Sequence, residues 1–470
     1  MIGGIGLALN HQDSNLFEQL YRTWQKRRRM NVTRSTYFDG EAALKDFGIS
    51  LPPQMQSIGS LLGWTAKGVR AVTDRSQFEG FVSKSGETFD VDEIAADNEF
   101  ELEFPGTQIS SAVHGCAFLS VSHGDVQSGE PDVQVIARAA DSSAAIWDSR
   151  RRALAGFLSI VDRDGLNQPT LMVMYTPEKV VTLTRQEKVW GASWLVAVIP
   201  NPLGRVSVAP IVYGRELLRP LGHSRITRAS MGYSDSALRT IVRAEVSAEF
   251  YSAPEYYLFG AGVEQFVGND RWSAIMGRMK ALNTDTNDSV DKPDLHRFTG
   301  ASPQPHTEQL RMWANLFADD QDLEVKFADN SNPSSADAIF AAKETLITTT
   351  RDANKGWGAG TVAAMRMAVT LRDGALPEGI RDLRAQFTDP AIVSPSARAD
   401  AFSKLATSIT GFGTSEVGME YAGLSREQIT RFQSEQQRAG ASSRIAELVS
   451  LARDMRAEPA APAAPAPTEE

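Results

Sequence analysis

A single cysteine, Cys116, stands in the chain, so no disulfide can close within it, and such sparing use fits a reducing compartment. Histidine is also scarce. His11, His114, His123, His223, His296 and His306 form no HExxH or paired-ligand spacing, and one thiol cannot anchor a zinc cluster. No apolar run reaches the length of a membrane-spanning helix, and the opening MIGGIGLALN lacks the basic segment of a signal peptide. A cytoplasmic protein without a membrane partner is therefore expected. Phosphate-loop and nucleophile-elbow patterns, GxxxxGK[ST] and GxSxG, are missing. The glycine-rich run 355-KGWGAG-360 neither follows a strand nor opens a helix, which argues against a phosphate cradle. Basic excess is lacking too: 48 Lys and Arg face 58 Asp and Glu, for a net charge of −10. That balance excludes tight phosphate binding over most of the surface, yet it suits a protein that lets DNA pass without gripping it.

The remaining chemistry-bearing residues have ordinary readings. Cys116 lies between His114 and His123, which invites a thiol-nucleophile reading, but the surrounding run is apolar and strand-like, so packing is expected. Asp319-Asp320 and Asp90, Asp92 and Glu93 read as solvated surface rather than metal ligands. No catalytic residue, cofactor site or metal site is expected, and the protein is not expected to be an enzyme.

What is present is an α+β chain with room for several domains. Leu16, Phe17, Leu20, Tyr21 and Trp24 share one face of a helix over 14–29, which ends in the basic run Lys26–Arg29. A helical zone follows near Asp74–Phe81. From about 88 to 212 the texture is β: Phe100, Leu102 and Phe104 alternate with acids, and strands are expected at 112–124, 132–140 and 205–213. The runs 153–161, 170–176 and 179–184, with a turn at 162–165, suggest an antiparallel meander. A helix at 224–252, rich in alanine and serine, carries Arg225, Arg228, Arg239 and Arg243 among acids, which suits solvent or a charged neighbour. An insert then holds strands at 256–262 and 295–300, a short helix at 271–282 and an acidic loop at 283–294.

Two helices follow, one with Leu310, Trp313, Leu316 and Phe317 on a stripe, the next starting at Asn332-Pro333-Ser334-Ser335 and running through 351–374. Gly356, Gly358 and Gly360 inside that pattern predict a kink or a close backbone approach. Pro395 starts a helix with Phe402, Leu405 and Ile409. Ser425 and Gln428 form a capping box for another, reaching Phe432, and 443–455 form the last. Residues 458–470 are a disordered Pro/Ala tail by composition.

Four stretches in this order carry a likeness: 37-YFDGEAALKDFGISLPP-53, 237-ALRTIVRAEVSAEFYSAPEYYLFGA-261, 297-RFTGASPQPHTEQLRMWANLFA-318 and 332-NPSSADAIFAAKETLI-347. Through their joint order over most of residues 14–440, the chain resembles the portal proteins of tailed bacteriophages, in the form common in phages of actinobacteria. The resemblance implies a portal fold: a mixed wing (1–212), a first stem helix region (213–252), a small α/β clip (253–302), a second stem helix (303–321), a tunnel loop (322–334), a long kinked wing helix (335–379) and a helical crown (380–457).

It also implies a homo-oligomeric ring, a dodecamer as a rule, at one capsid vertex of the virion and in the host cytoplasm during assembly. Double-stranded DNA would pass through the channel without sequence specificity. The terminase large subunit, a head–tail adaptor, and the major capsid and scaffolding proteins are the implied partners. Under this likeness Lys326, Asp329, Asn330, Ser331 and Asn332 would face DNA, the polar side chains touching it without arresting ion pairs. Tyr256, Tyr257, Arg271, Trp272, Asp291 and His296 would serve motor or connector docking, and Arg225, Arg228, Arg239 and Arg243 would lie on the stem. Another head–tail structural protein and a DNA-packaging enzyme are the rival readings.

Overall fold

The computed structural model describes residues 9–42, 62–188, 191–252, 255–260, 279–283, 294–298, 302, 304–323, 336–391 and 395–457. The chain divides into two compact units, Met1–Pro390 and Ala391–Glu470.

In the larger unit, α1 (His11–Phe38) starts where the Asn10 side chain accepts the Asp13 amide at 2.8 Å. It runs well past the 14–29 span marked by its apolar stripe. The expected helix at 74–81 is corrected: α2 (Trp64–Thr73) ends before it, and β1 (Phe78–Val82) occupies its end. Helix α3 (Val91–Asp97) leads to α4 (Phe100–His114), which corrects the strand read from alternating Phe100, Leu102 and Phe104. Phe100 and Phe104 are also four apart, so they share a helix face, where their rings stack at 4.9 Å while Leu102 is exposed. The strand expected from 112 accordingly begins only at Cys116.

Strand β2 (Cys116–His123) pairs antiparallel with β3 (Val133–Ala139) on one side. The expected meander is present and larger than predicted. It comprises β4 (Ser143–Asp148), β5 (Ala153–Arg163), β6 (Pro169–Tyr175), β7 (Lys179–Lys188) and β8 (Gly191–Pro200), in sequential antiparallel order. Its two outer strands are additions to the three read from sequence. Phe17, Leu20 and Trp24 of α1 pack on this sheet against Leu158, Met172, Met174 and Leu183. Trp24 Nε1 donates to Asp141 O at 2.8 Å and Asn31 Nδ2 to Ala140 O at 2.9 Å, so these two polar side chains are paired where α1 meets the sheet. Strand β9 (Val208–Val212) returns to the other side of β2.

Helix α5 (Arg228–Ser252) leads into the insert, where β10 (Glu255–Gly260) lies between β11 (Met279–Asn283), parallel to it, and β12 (Asp294–Phe298), antiparallel. Residues 279–282 are thus strand, not the end of the predicted helix, whose remainder lies outside the described residues. Helix α6 (Gln304–Asp320) returns from the insert. Helix α7 (Ala336–Asp373) then runs unbroken through the glycine run. Trp357, Thr361, Ala364, Met365, Ala368 and Val369 are fully buried along α7, in a core shared with α4 and the β3-β2-β9 sheet.

The glycines serve close approach. A Cβ on Gly356 would stand 2.5 Å from Val212 O, and one on Gly360 2.4 Å from Pro210 O, so only hydrogen atoms let α7 lie this near β9. Strand β13 (Arg384–Phe387) pairs with β1, and Ile380 and Leu383 are fully buried in the same core. Residues 380–390, assigned to the crown by resemblance, therefore belong to the larger unit.

The smaller unit holds α8 (Pro395–Ser408), α9 (Glu416–Ala422) and α10 (Arg426–Ala457). The predicted capping box forms: Ser425 N donates to Gln428 Oε1 at 3.0 Å and Gln428 N to Ser425 Oγ at 3.3 Å. The helix it starts does not stop near Phe432; it continues as one element through the span predicted as a separate last helix.

Candidate functional site

The predicted tunnel residues Lys326, Asp329, Asn330, Ser331 and Asn332 lie outside the described residues, as do Arg271, Trp272 and Asp291. Tyr256 and Tyr257 fall on β10 and His296 on β12, with Tyr257 registered opposite His296. The structure does describe how the segment between α6 and α7 is held at its start and beyond its end.

Helices α5 and α6 pack antiparallel. Ala237, Leu238 and Val242 are buried on one, and Ala314, Phe317 and Ala318 on the other. Tyr233 stacks on Trp313 at 6.4 Å, and near the base Thr227 Oγ1 donates to Asp320 Oδ2 at 3.2 Å. The small residues noted in the sequence allow this close pairing, because alanine presents little beyond the backbone surface. Trp64 of α2 covers the lower end against Phe317, at 5.4 Å between ring centroids. Asp235, one of the acids expected to face solvent or a charged neighbour, accepts from the Tyr37 hydroxyl of α1 at 2.6 Å.

Arg225 is the central correction. Sequence places it on a helix face toward solvent or charge; the structure places it before α5, with 5% of its surface exposed. Its Nε donates to Gly68 O at 2.8 Å and one terminal nitrogen to the Tyr213 hydroxyl at 2.9 Å. The other terminal nitrogen donates to Gln321 O. Asp322, in the left-handed region at φ 51°, brings a carboxylate oxygen to 3.7 Å from the guanidinium. That same oxygen accepts from Thr349 Oγ1 of α7 at 3.0 Å. One planar fork thus joins α2, the end of β9, the exit of α6 and, through Asp322, α7.

Leu323 also packs on the core. Gln321–Leu323 are thus held by the fold at the start of the expected tunnel loop.

The other arginines that the resemblance assigns to the stem divide. Arg228 is exposed at the first turn of α5, Arg239 is half-buried and donates to Ser236 Oγ at 2.9 Å, and the Arg243 Nε is buried without a hydrogen-bond partner. Desolvation pushes the Cys116 thiol up to about 12, partly offset by Arg34, so at neutral pH it holds its proton. Among the described residues no cluster of His, Cys, Asp and Glu could hold a metal ion, and no helix is long and apolar enough to cross a membrane.

Sequence reasoning located the arginine but not its role. The signal it passed over was position: Arg225 and Ser224 precede the helical period, and Ser224 Oγ accepts the Ile226 amide at 2.9 Å before α5 begins.

A family model described as "Phage portal protein, SPP1 Gp6-like" matches residues 83–441. The portal protein of Mycobacterium phage L5 is 26% identical over 457 residues, covering 93% of this chain and 90% of that protein. The portal protein of Mycobacterium phage D29 is 26% identical over 455 residues, with the same two coverages. A chain from the neck of a native GTA particle, computed with C12 symmetry, is similar over 84% of this chain and 99% of that one, at TM-score 0.39 and 12% identity.

Proposed function

The chain belongs to the SPP1 Gp6-like family of phage portal proteins, and from that premise we propose that copies of it close into a dodecameric ring at one vertex of the virion capsid. Genome DNA is packaged and ejected through the ring's bore. The ring assembles in the host cytoplasm with scaffolding and major capsid proteins. The terminase motor, and later a head–tail adaptor, dock on the insert between α5 and α6. Residues 324–334 line the narrow part of the bore, where polar side chains pass the polyanion without clasping it. The role is structural rather than enzymatic.

The observation that carries this reading is the buried Arg225 fork. A segment that meets moving DNA must be fixed at its roots, and the residues just before this one are hydrogen-bonded to Arg225 and to Thr349 of α7, with Arg225 tied in turn to α2 and the end of β9. Electron micrographs of the purified protein should show rings with an axial hole wide enough for a double helix. Compact monomers at every concentration would overturn the proposal.

The loop assignment has its own check. Deletion of residues 324–331, which spares the Gln321–Leu323 anchor, should leave rings in micrographs while DNA-filled capsids fall sharply in a packaging assay. Loss of the ring instead would place the segment in the subunit's packing.

A further inference from the structure

A second feature lies beside the first turns of α5. A cavity of about 650 Å³ is lined by Arg27 and Arg34 of α1, Arg219 and Arg228, with Asn31, His114 and Ser143. Four arginines line it, and among the described residues no carboxylate does. Among the described residues the acids nearest the lining are Glu216, 3.8 Å from Arg219 and 3.5 Å from His223, and Asp141, whose charge acts on His114; none of them pairs with Arg27, Arg34 or Arg228. The Arg34 Nε, the His114 Nδ1 and the Ser143 Oγ are all buried without a hydrogen-bond partner. Arg34 makes one contact, from Nη1 to the His114 carbonyl at 3.2 Å. Burial holds His114 down at about 4, so at neutral pH the positive charge here is that of the arginines. Unpaired buried polar atoms, the Arg34 Nε donor among them, beside four arginines in a chain of net charge −10 point to an anionic occupant. Apolar groups also line the cavity, including the exposed Leu218 and Met30.

Charge is segregated along the chain in a way that supplies the counterpart. No acid occurs between Glu18 and Asp39, where α1 is basic, and no lysine or arginine between Lys84 and Arg138. Within that acidic stretch Asp97, Glu99, Glu101 and Glu103 are exposed, and Leu102, 77% exposed, projects between two carboxylates. A copy cannot fill its own cavity with this turn. His114, at the end of α4, lines the cavity, whereas Glu103 lies 11 residues earlier in the same helix, about 16 Å along its axis.

Building on the ring reading above, we propose that the arginine cavity of one copy receives the Glu99–Glu103 turn of the next. Glu101 and Glu103 meet the arginines, and Leu102 lies against Met30 and Leu218. A basic hollow and an acidic projection on different parts of one subunit make a heterologous contact, the kind that closes into a cyclic ring.

The test uses the full-length chain in two charge-reversed forms, Arg27→Glu with Arg228→Glu, and Glu101→Arg with Glu103→Arg. All four side chains are exposed at the surface. Each variant should lose the ring species seen by mass photometry at least tenfold at a concentration where the unaltered chain is fully assembled, with its circular dichroism unchanged. Mixed in equal amounts, the two should associate although neither does alone, because the intact cavity of one meets the intact turn of the other. Association of the mixture also requires that both are folded. If either reversal fails to fold, the neutral pairs Arg27→Gln with Arg228→Gln and Glu101→Gln with Glu103→Gln replace it, with the ring lost at lower salt than for the unaltered chain. Rings at unaltered levels in any folded variant, or no association of the mixture, would overturn the pairing while leaving the ring itself in place. Failure of the unaltered chain to form rings would remove the ring reading too.

Discussion

Arg225→Met should destabilise the subunit by about 3–5 kcal/mol, the usual cost of removing one partner from a buried charged network. The loss is large because the guanidinium serves several acceptors at once. Without it Gly68 O, Gln321 O and the Tyr213 hydroxyl remain enclosed with a vanished partner, and the Asp322 carboxylate loses its nearest positive charge. A methionine of similar length fills the space, so most of the cost is electrostatic rather than a cavity. Arg225→Lys separates charge from geometry: an ammonium keeps the charge but cannot reach three acceptors held in the plane of a fork, so it should recover little. Urea unfolding of the unassembled subunit measures both. A loss under about 1 kcal/mol would mean that the knot is not holding these elements together. The same variant should also loosen the root of the 324–334 segment, exposing it to limited proteolysis before the rest of the subunit unfolds.

Gly360→Ala carries the second large expectation, and here two physical arguments oppose each other in sign. Helix propensity alone favours alanine over glycine by up to about 1 kcal/mol in a helix interior. Packing argues the reverse. The new Cβ would stand 2.4 Å from Pro210 O and 2.7 Å from Ile211 Cδ1, and the first of these is backbone in a paired strand. Moving it means shifting α7 off β9, at a cost of about 1–3 kcal/mol for an overpacked core, or more where backbone must yield. Packing wins, and the melting temperature should fall. Gly356→Ala, 2.5 Å from Val212 O, should behave alike. Gly232→Ala is the internal control: it lies in α5 with nothing within 4 Å of its ideal Cβ, so there propensity acts unopposed and stability should rise. A stabilising Gly360→Ala would show that α7 and β9 stand further apart than described.

The residues sort by how far their partners lie along the chain. Features set by neighbours within a few positions were legible: the Phe17–Leu20–Trp24 stripe of α1, the meander strands from Ala153 to Thr184, the Ser425–Gln428 box, and the helices flanking the insert. The family was legible from the order of four ordinary stretches, none of them a catalytic fingerprint. The misreadings share one cause. Phe100, Leu102 and Phe104 satisfy a period of two and, at their outer members, a helical repeat as well. What decides between the two is the packing of Phe100 and Phe104 against Phe78, with ring centroids 5.6 and 5.2 Å away. Strand β1 has its pairing partner at β13, some three hundred positions later, where no local pattern can indicate it.

By itself, then, the order of residues determined the α1 stripe, the helices flanking the insert, the core of the meander, the Ser425–Gln428 box, the acidic balance and the kinship, because hydrogen-bond periodicity and side-chain alternation act over a few positions. Tertiary structure alone decided that Arg225 faces inward, that the glycines of α7 admit a strand rather than break a helix, and that four arginines line a cavity with no carboxylate among its described lining residues. Each of these depends on which distant atoms come into contact. Burial turns a surface charge into a structural bond, and that becomes visible only once the chain has closed around it.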